Sequence, residues 1–256
     1  MQIYVCVKHV PDSAANITII DATSIDEKVA FLLNPYDEHA VTEATALKKQ
    51  FAGAEVIAVC LGKKDAEKTI RSAMAMGADR GILIETRAVP DSMTTARALA
   101  AAIEQDGSPG IILTGKESID AEGMQTMFRI GALFGFPVVT NAISLRVEND
   151  RAQVTYELAG GRTRICELAM PCVVAAGRGL NTPAYPTFPD VVKARKKPLQ
   201  TVALSDLAFD TPPGGTRVVR LEPLTQARSP RQINGSPREI AARIATILKE
   251  EVKVIT

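Results

Sequence analysis

The sequence runs 256 residues, with 30 basic against 29 acidic side chains, 46% hydrophobic residues and four cysteines. That length holds one large α/β domain, or a domain with an appendage. The balanced charge argues against a general nucleic-acid binder, and no apolar run reaches the roughly 18 residues of a membrane span.

Residues 3–7 read as a short apolar strand. The opening Met-Gln-Ile-Tyr-Val-Cys-Val-Lys carries no signal-peptide pattern. Cys6, Cys60, Cys166 and Cys172 form no C-x-x-C pair, and each stands in or beside an apolar run. They read as buried free thiols of a reducing cytoplasm, and no metal site is expected. Lys8 closes the first strand, either as a ligand or interface group or as a solvated lysine. His9 reads as exposed. Residues 13–33 form an irregular excursion, with a small hairpin expected through 17–19 and 30–32. In Asn34-Pro35-Tyr36-Asp37-Glu38, asparagine suits the N-cap, proline the first helical position and the acids the first turn. Ala40, Val41, Ala44 and Leu47 continue as a helical stripe, with His39 on the surface. Residues 56–61 form the second strand. A helix follows with Ala66, Ile70, Ala73 and Met74 inward, ended by Gly77. Residues 81–84 are the third strand, and Pro90-Asp91 opens a helix with Ala96, Leu99, Ala100 and Ile103 inward. Residues 111–114 are the fourth strand.

Residues 115–126 leave that strand and open a helix through Met127, Ile130, Leu133 and Phe134. The stretch contains neither G-x-G-x-x-G nor a Walker lysine motif. It is either a ligand loop, with helix N–H groups free to hold an anion, or an ordinary capped loop with Asp120 or Glu122 near the helix start. The strand–helix alternation predicts an α/β fold, a mostly parallel Rossmann-like sheet with helices on both faces. Strands one, two and four then share a rim, which gathers Cys6 to Lys8, Cys60 to Gly62 and the 115–126 stretch.

After Pro137 the pattern changes. Residues 142–167 read as a small antiparallel meander, with turns at Glu148-Asn149-Asp150 and Gly160-Gly161. Residues 172–176 return to the main sheet. Residues 177–197 join exposed-looking Leu180, Tyr185 and Phe188 to a basic helical patch that includes Lys193 and Lys196. This segment either docks on an acidic partner or folds its hydrophobes inward. The first domain is expected over 1–203. Residues 204–256 are expected to form an extended arm ending in a helix, with a capping box at Ser236-Pro237-Arg238-Glu239 and a stripe of Ile240, Ile244, Ile247 and Leu248. That helix covers either this domain or a partner subunit, with the partner favoured.

Two histidines on unrelated segments assemble no catalytic set, and paired carboxylates are accounted for by helix N-termini. No catalytic residue is assigned. Two classes remain: a nucleotide-binding subunit whose redox chemistry belongs to a cofactor, or a non-redox ATP-binding sensor or hydrolase.

Several segments together carry a resemblance: Val7-Lys8-His9-Val10-Pro11-Asp12, Asn34-Pro35-Tyr36-Asp37-Glu38, Ala73-Met74-Ala75-Met76-Gly77-Ala78-Asp79-Arg80, Gly115-Lys116 with Ile119-Asp120, Gln125-Thr126, and Tyr185-Pro186 through Lys197. Across essentially its full length the chain resembles the β subunits of electron transfer flavoproteins. The resemblance implies a heterodimer with an α subunit that holds most of an FAD, a structural AMP in the β subunit, and no proton chemistry in this chain. Electrons would pass from dehydrogenases, often acyl-CoA dehydrogenases, to a membrane quinone oxidoreductase or another acceptor. It also implies AMP contacts from Cys6, Asn34, Cys60, Leu61, Gly123, Met124, Gln125 and Thr126, and an approach of Tyr36 to the flavin. Leu180, Tyr185, Phe188, Lys193 and Lys196 would dock the partner; Phe188 stands where the family has a leucine, and the two lysines match ones methylated in some members. Met124 replaces an asparagine and Ala121 an acid, so those side-chain contacts are lost. Electron-bifurcating members carry a second FAD in place of AMP and take electrons from NADH; the bulky Met124 and retained Thr126 lean towards AMP.

Overall fold

The structure, a computed structural model, describes residues 1–209, 215–223 and 230–254. The chain divides into two compact units, Met1–Arg220 and Leu221–Thr256.

The first unit contains, in chain order, β1 (Gln2–Cys6), β2 (His9–Pro11), β3 (Phe31–Leu33), α1 (Pro35–Gln50), β4 (Glu55–Gly62), α2 (Glu67–Ala75), β5 (Arg80–Glu85), α3 (Ser92–Asp106), β6 (Pro109–Gly115) and α4 (Thr126–Phe134). Then come β7 (Val138–Glu148), β8 (Arg151–Leu158), β9 (Arg162–Ala169), β10 (Cys172–Ala176), α5 (Phe188–Ala194) and β11 (Leu199–Ala203). Nine strands form one sheet in the order β11-β5-β4-β1-β6-β10-β7-β8-β9. The run from β11 to β7 is parallel, as apolar strands joined by helical crossovers require.

Alternate residues of the central strands feed separate cores. Ile3 and Val5 pack with Ala40, Val41, Ala44 and Leu47 of α1 and Ile70, Ala73 and Met74 of α2. Tyr4 and Cys6 pack with Ala96, Leu99 and Ile103 of α3 and Met127 and Ile130 of α4. Helices therefore cover both faces, and the methionine at 74 is core filling. Gly135, with φ +68, ends α4 in the left-handed region that favours glycine.

Three local expectations are corrected. The short antiparallel pair is β2 with β3, not 17–19 with 30–32. It buries Val10 and Leu33, whereas Ile17 and Ile20 stay exposed. His9 is half-buried, stacked on Phe31 with ring centroids 4.6 Å apart, and its Nδ1 hydrogen-bonds Thr69 Oγ1 at 2.7 Å. His39 is buried, with Nδ1 bonded to Asn181 Oδ1 at 3.1 Å and Asn181 Nδ2 donating back to the His39 carbonyl at 3.0 Å.

The antiparallel meander is an extension of the main sheet. β7 runs parallel to β10 from Val138, then antiparallel to β8, and Asn141 (φ +57) lies at the changeover. On the opposite edge β11 pairs with β5, a strand the residue pattern did not reveal. Residues 204–209, assigned to the arm by composition, give Leu207 and Phe209 to the second core.

Expected arm residues 210–214 and 224–229 lie outside the described residues. In the second unit, α6 (Pro237–Thr246) starts at Ser236 with the expected capping box, and its last turns continue as a wider helix over Ile247–Glu251. Arg231 Nη1 donates to Glu251 Oε2 at 2.6 Å. Among the described residues no helix is long and apolar enough to cross a membrane, and no cluster of side chains could hold a metal ion.

Candidate functional site

Cys6 stands in register with Val59 of β4 and Thr114 of β6, so the carboxyl ends of these three strands meet on one rim. The chain passes Lys8 and Gly115 there, and α1 begins beside them.

Asn34 occupies the N-cap position of α1 but makes no side-chain cap. Its Nδ2 donates to Asp37 Oδ1 and to the Glu117 carbonyl, both at 2.9 Å, and its Oδ1 accepts from the Ile119 N–H at 3.1 Å. The side chain therefore joins α1 to the loop after β6, which corrects the purely local capping reading.

Asp37, 5% exposed, is the buried centre of the rim. Its Oδ2 accepts from the Lys8 N–H at 2.7 Å, and its Oδ1 accepts from the Gly115 N–H at 3.0 Å as well as from Asn34. Burial pushes its carboxyl up to about 7, against the opposing pull of these hydrogen bonds and of Lys8. Glycine is required at 115, because a Cβ there would stand 2.3 Å from Asp37 Oδ1 and 2.9 Å from the Tyr36 carbonyl carbon.

Lys8 is neither free nor simply solvated. Its Nζ donates to both carboxylate oxygens of Asp120, at 2.7 and 2.8 Å, and to Ser118 Oγ at 3.2 Å. Past Asp120 the loop becomes exposed, and Glu122 (φ +47) and Met124 (φ +48) lie in the left-handed region that side chains disfavour. The α4 helix starts only at Thr126, so Asp120 and Glu122 do not cap it. Gln125 holds the N-cap position without a side-chain cap, its Oε1 accepting instead from Ser92 Oγ and Arg129 Nη2. The first intrahelical bond runs from the Arg129 N–H to the Gln125 carbonyl at 3.1 Å. The preceding N–H groups, at Thr126, Met127 and Phe128, thus lack helix acceptors. They and the exposed 121–125 loop form a surface suited to an anion.

Beside this loop, Lys116 Nζ and the Arg178 guanidinium each lie 5.2 Å from the centroid of the buried Tyr36 ring. Cys6 and Cys60 are buried, and burial raises both thiols, Cys60 to about 12. They are neutral and unreactive at physiological pH. Leu61 beside them is half-buried.

Of the docking candidates, Tyr185 is 98% and Phe188 80% exposed, and Lys193 and Lys196 are exposed on and just after α5. A capping box of Thr187 and Asp190 starts α5, while Arg71 Nη1 and Lys197 Nζ tie its end to α2. Leu180 turns inward against the first core. The segment thus folds one of its three hydrophobes inward and leaves the other two exposed.

Residue-level reading missed Asp37 as a site residue. A signal was present: Asp37 precedes Ala40, Val41 and Ala44 by three, four and seven positions, which places a carboxylate on the inward stripe of α1. The Lys8–Asp120 pair had no such local signature.

The model of a family described as the electron transfer flavoprotein domain matches residues 22–207. The electron transfer flavoprotein subunit beta of Syntrophomonas wolfei is 32% identical over 99% of this chain and 98% of its own length. That of Bradyrhizobium diazoefficiens is 33% identical over the whole of both chains. The human protein of the same name is 36% identical over 82% of this chain and 84% of its own.

Proposed function

The chain belongs to the electron transfer flavoprotein family, among its β subunits, and from that premise we propose that it is the nucleotide-holding half of a heterodimeric cytoplasmic electron carrier. Its α-subunit partner holds most of an FAD, which supplies the electron-carrying flavin when bound, and Tyr36 lines one side of it. Electrons enter from a dehydrogenase of the acyl-CoA class and leave to a quinone oxidoreductase or another acceptor. AMP occupies the rim formed by β1, β4 and β6.

The observation that carries this reading is the exposed loop opening an uncapped α4 beside three parallel strand ends. The rim residues fit a nucleotide in different ways. Gly123, Met124, Gln125 and Thr126 offer main-chain N–H groups to a phosphate. Cys6, Cys60 and Leu61 offer backbone and shape, since both thiols are buried and neutral. The Asn34 side chain is committed to Asp37 and the loop, so it shapes the site more than it binds. This chain moves no proton; it binds, orients and excludes water. The helix Pro237–Thr246 covers part of the α subunit, and Tyr185, Phe188, Lys193 and Lys196 meet the dehydrogenase.

Nucleotide extraction from the purified heterodimer tests the assignment, with one FAD and one AMP expected. Two FAD and no AMP would establish the bifurcating arrangement instead, and a colourless protein that turns over ATP would remove the redox reading altogether. For docking, Phe188→Ala should slow electron transfer from the dehydrogenase with FAD content intact; unchanged transfer kinetics would take that surface out of the mechanism.

A further inference from the structure

The rim is held together by one carboxylate. Asp37 accepts N–H bonds from three separate pieces of chain: Lys8 after β1, Asn34 before α1, and Gly115 at the end of β6. Asn34 carries the connection onward to the Glu117 carbonyl and the Ile119 N–H. Lys8, whose main chain is bonded to Asp37, reaches over with its side chain to Ser118 and Asp120. Every residue from 115 to 120 except Lys116 is therefore either bonded to Asp37 or bonded to a residue that is. Immediately beyond, over 121–125, the loop is exposed and twice enters left-handed backbone. The fixed half sets where the open half begins, and the open half presents the N–H groups of α4.

Building on the reading of that loop as a nucleotide site, we infer that Asp37 is its positioning residue: a buried carboxylate that touches no ligand but fixes residues 115–120, and through them the anion-binding start of α4. Ionised, it has an acceptor for each of the three N–H donors. Protonated, one oxygen becomes a hydroxyl facing a donor, and one bond is lost. The charged and titratable groups facing it are Lys8 just after β1, Cys6 of β1 and Cys60 of β4. Burial keeps both thiols neutral, so the carboxylate is the member of the cluster that titrates near neutrality. Asp37→Asn keeps the volume and places an amide where an acceptor is needed, as protonation would, but permanently.

The test uses the protein purified with its co-expressed α subunit and stripped of nucleotide. Affinity for AMP is measured by calorimetry for the wild type, Asp37→Asn and Asn34→Ala, alongside thermal midpoints and amide exchange of residues 116–125. We expect about a tenfold loss of AMP affinity in each variant, with the double variant losing little more than either single one, because both act through the same connection. Exchange should quicken over 116–120 and stay unchanged in β1, β4 and residues 109–114 of β6. Binding of adenosine 5′-sulfate, whose charge is fixed across neutrality, should weaken in the wild type as pH falls through about 7 and should be weak and flat in Asp37→Asn. Wild-type affinity in Asp37→Asn, or a loss that follows only global unfolding, overturns the inference. If the wild type binds no AMP, the nucleotide assignment fails alone, and the exchange pattern over 116–120 still decides whether Asp37 positions the loop.

Discussion

At the amino end of the sheet, Arg80 at the start of β5 donates to Asp106 at 2.8 and 2.7 Å and to Glu55 of β4 at 2.9 and 3.2 Å. The Tyr4 hydroxyl adds a bond to Asp106 at 2.7 Å. At the carboxyl end, Asp37 is surrounded by as many donors, but these are main-chain and amide N–H groups, with the Lys8 charge turned towards Asp120. Burial opposes ionisation of both acids. At Asp106 the bonds from Arg80 and Tyr4 prevail and hold the carboxyl below its usual range; at Asp37 burial prevails. What separates the two ends is the deeper burial of Asp37, together with a full charge at one end against dipoles at the other. The amino end closes on itself and stabilises the sheet. The carboxyl end passes its hydrogen bonds outward to a loop that leads to the N–H groups opening α4, which have no helix acceptors.

The largest effect that tests this contrast is on the closed end. Arg80→Ala strands two acids whose partner is only 20% exposed, and should cost about 3 kcal/mol of stability, read from urea unfolding, with nucleotide content unchanged. A loss below about 1 kcal/mol would reduce this end to an ordinary surface ion pair.

Next come the pH slopes, of order 1 kcal/mol per pH unit for each group. Asp106, lowered in the folded protein, contributes stability that is present above its unfolded value and lost as pH falls through the folded one. Asp37, raised to about 7, contributes stability that is present below its unfolded value and lost as pH climbs towards 7. Relative to the wild type, Asp106→Asn should therefore lose ground as pH rises from strong acid up to about 4, and Asp37→Asn should gain ground between about pH 4 and 7. Slopes of the same sign, measured by equilibrium unfolding, would erase the distinction. Smallest is Asp120→Asn: its ion pair with Lys8 is half in solvent, so stability should move by less than about 0.5 kcal/mol, while amide exchange quickens near Ser118. A larger loss of stability would place the loop in the core.

The parallel sheet and its helices were legible in the residues because each element advertises itself over a short window. The inward faces of α1 and α3 fall on the expected Ala, Val, Leu and Ile positions. What escaped depends on partners far along the chain. Asn34 and Asp37 satisfy every local rule for a helix start, yet their side chains are spent on residues 115–119. His39 looks like a surface residue until Asn181 comes to meet it. The parallel half of β7 was hidden because Asn141 interrupts the alternation where the strand changes neighbours. The 115–126 stretch shows itself as a strand-to-helix loop, but its anchors have no pattern of their own.

The place of β10 in the sheet carries a consequence in time. This strand lies between β6 and β7, yet it is synthesised only after β7, β8 and β9. Until then β6 lacks one neighbour, and the Lys116 N–H lacks the Ala176 carbonyl that it meets at 3.1 Å in the finished protein. A chain emerging from the ribosome can therefore pair β1 with β4 early, but the segment bearing Gly115 is enclosed on both sides only after the whole meander has been made. Long-range closure of this kind is slow compared with local pairing. The segment bearing Gly115 thus has both its strand neighbours only once β10 has been made.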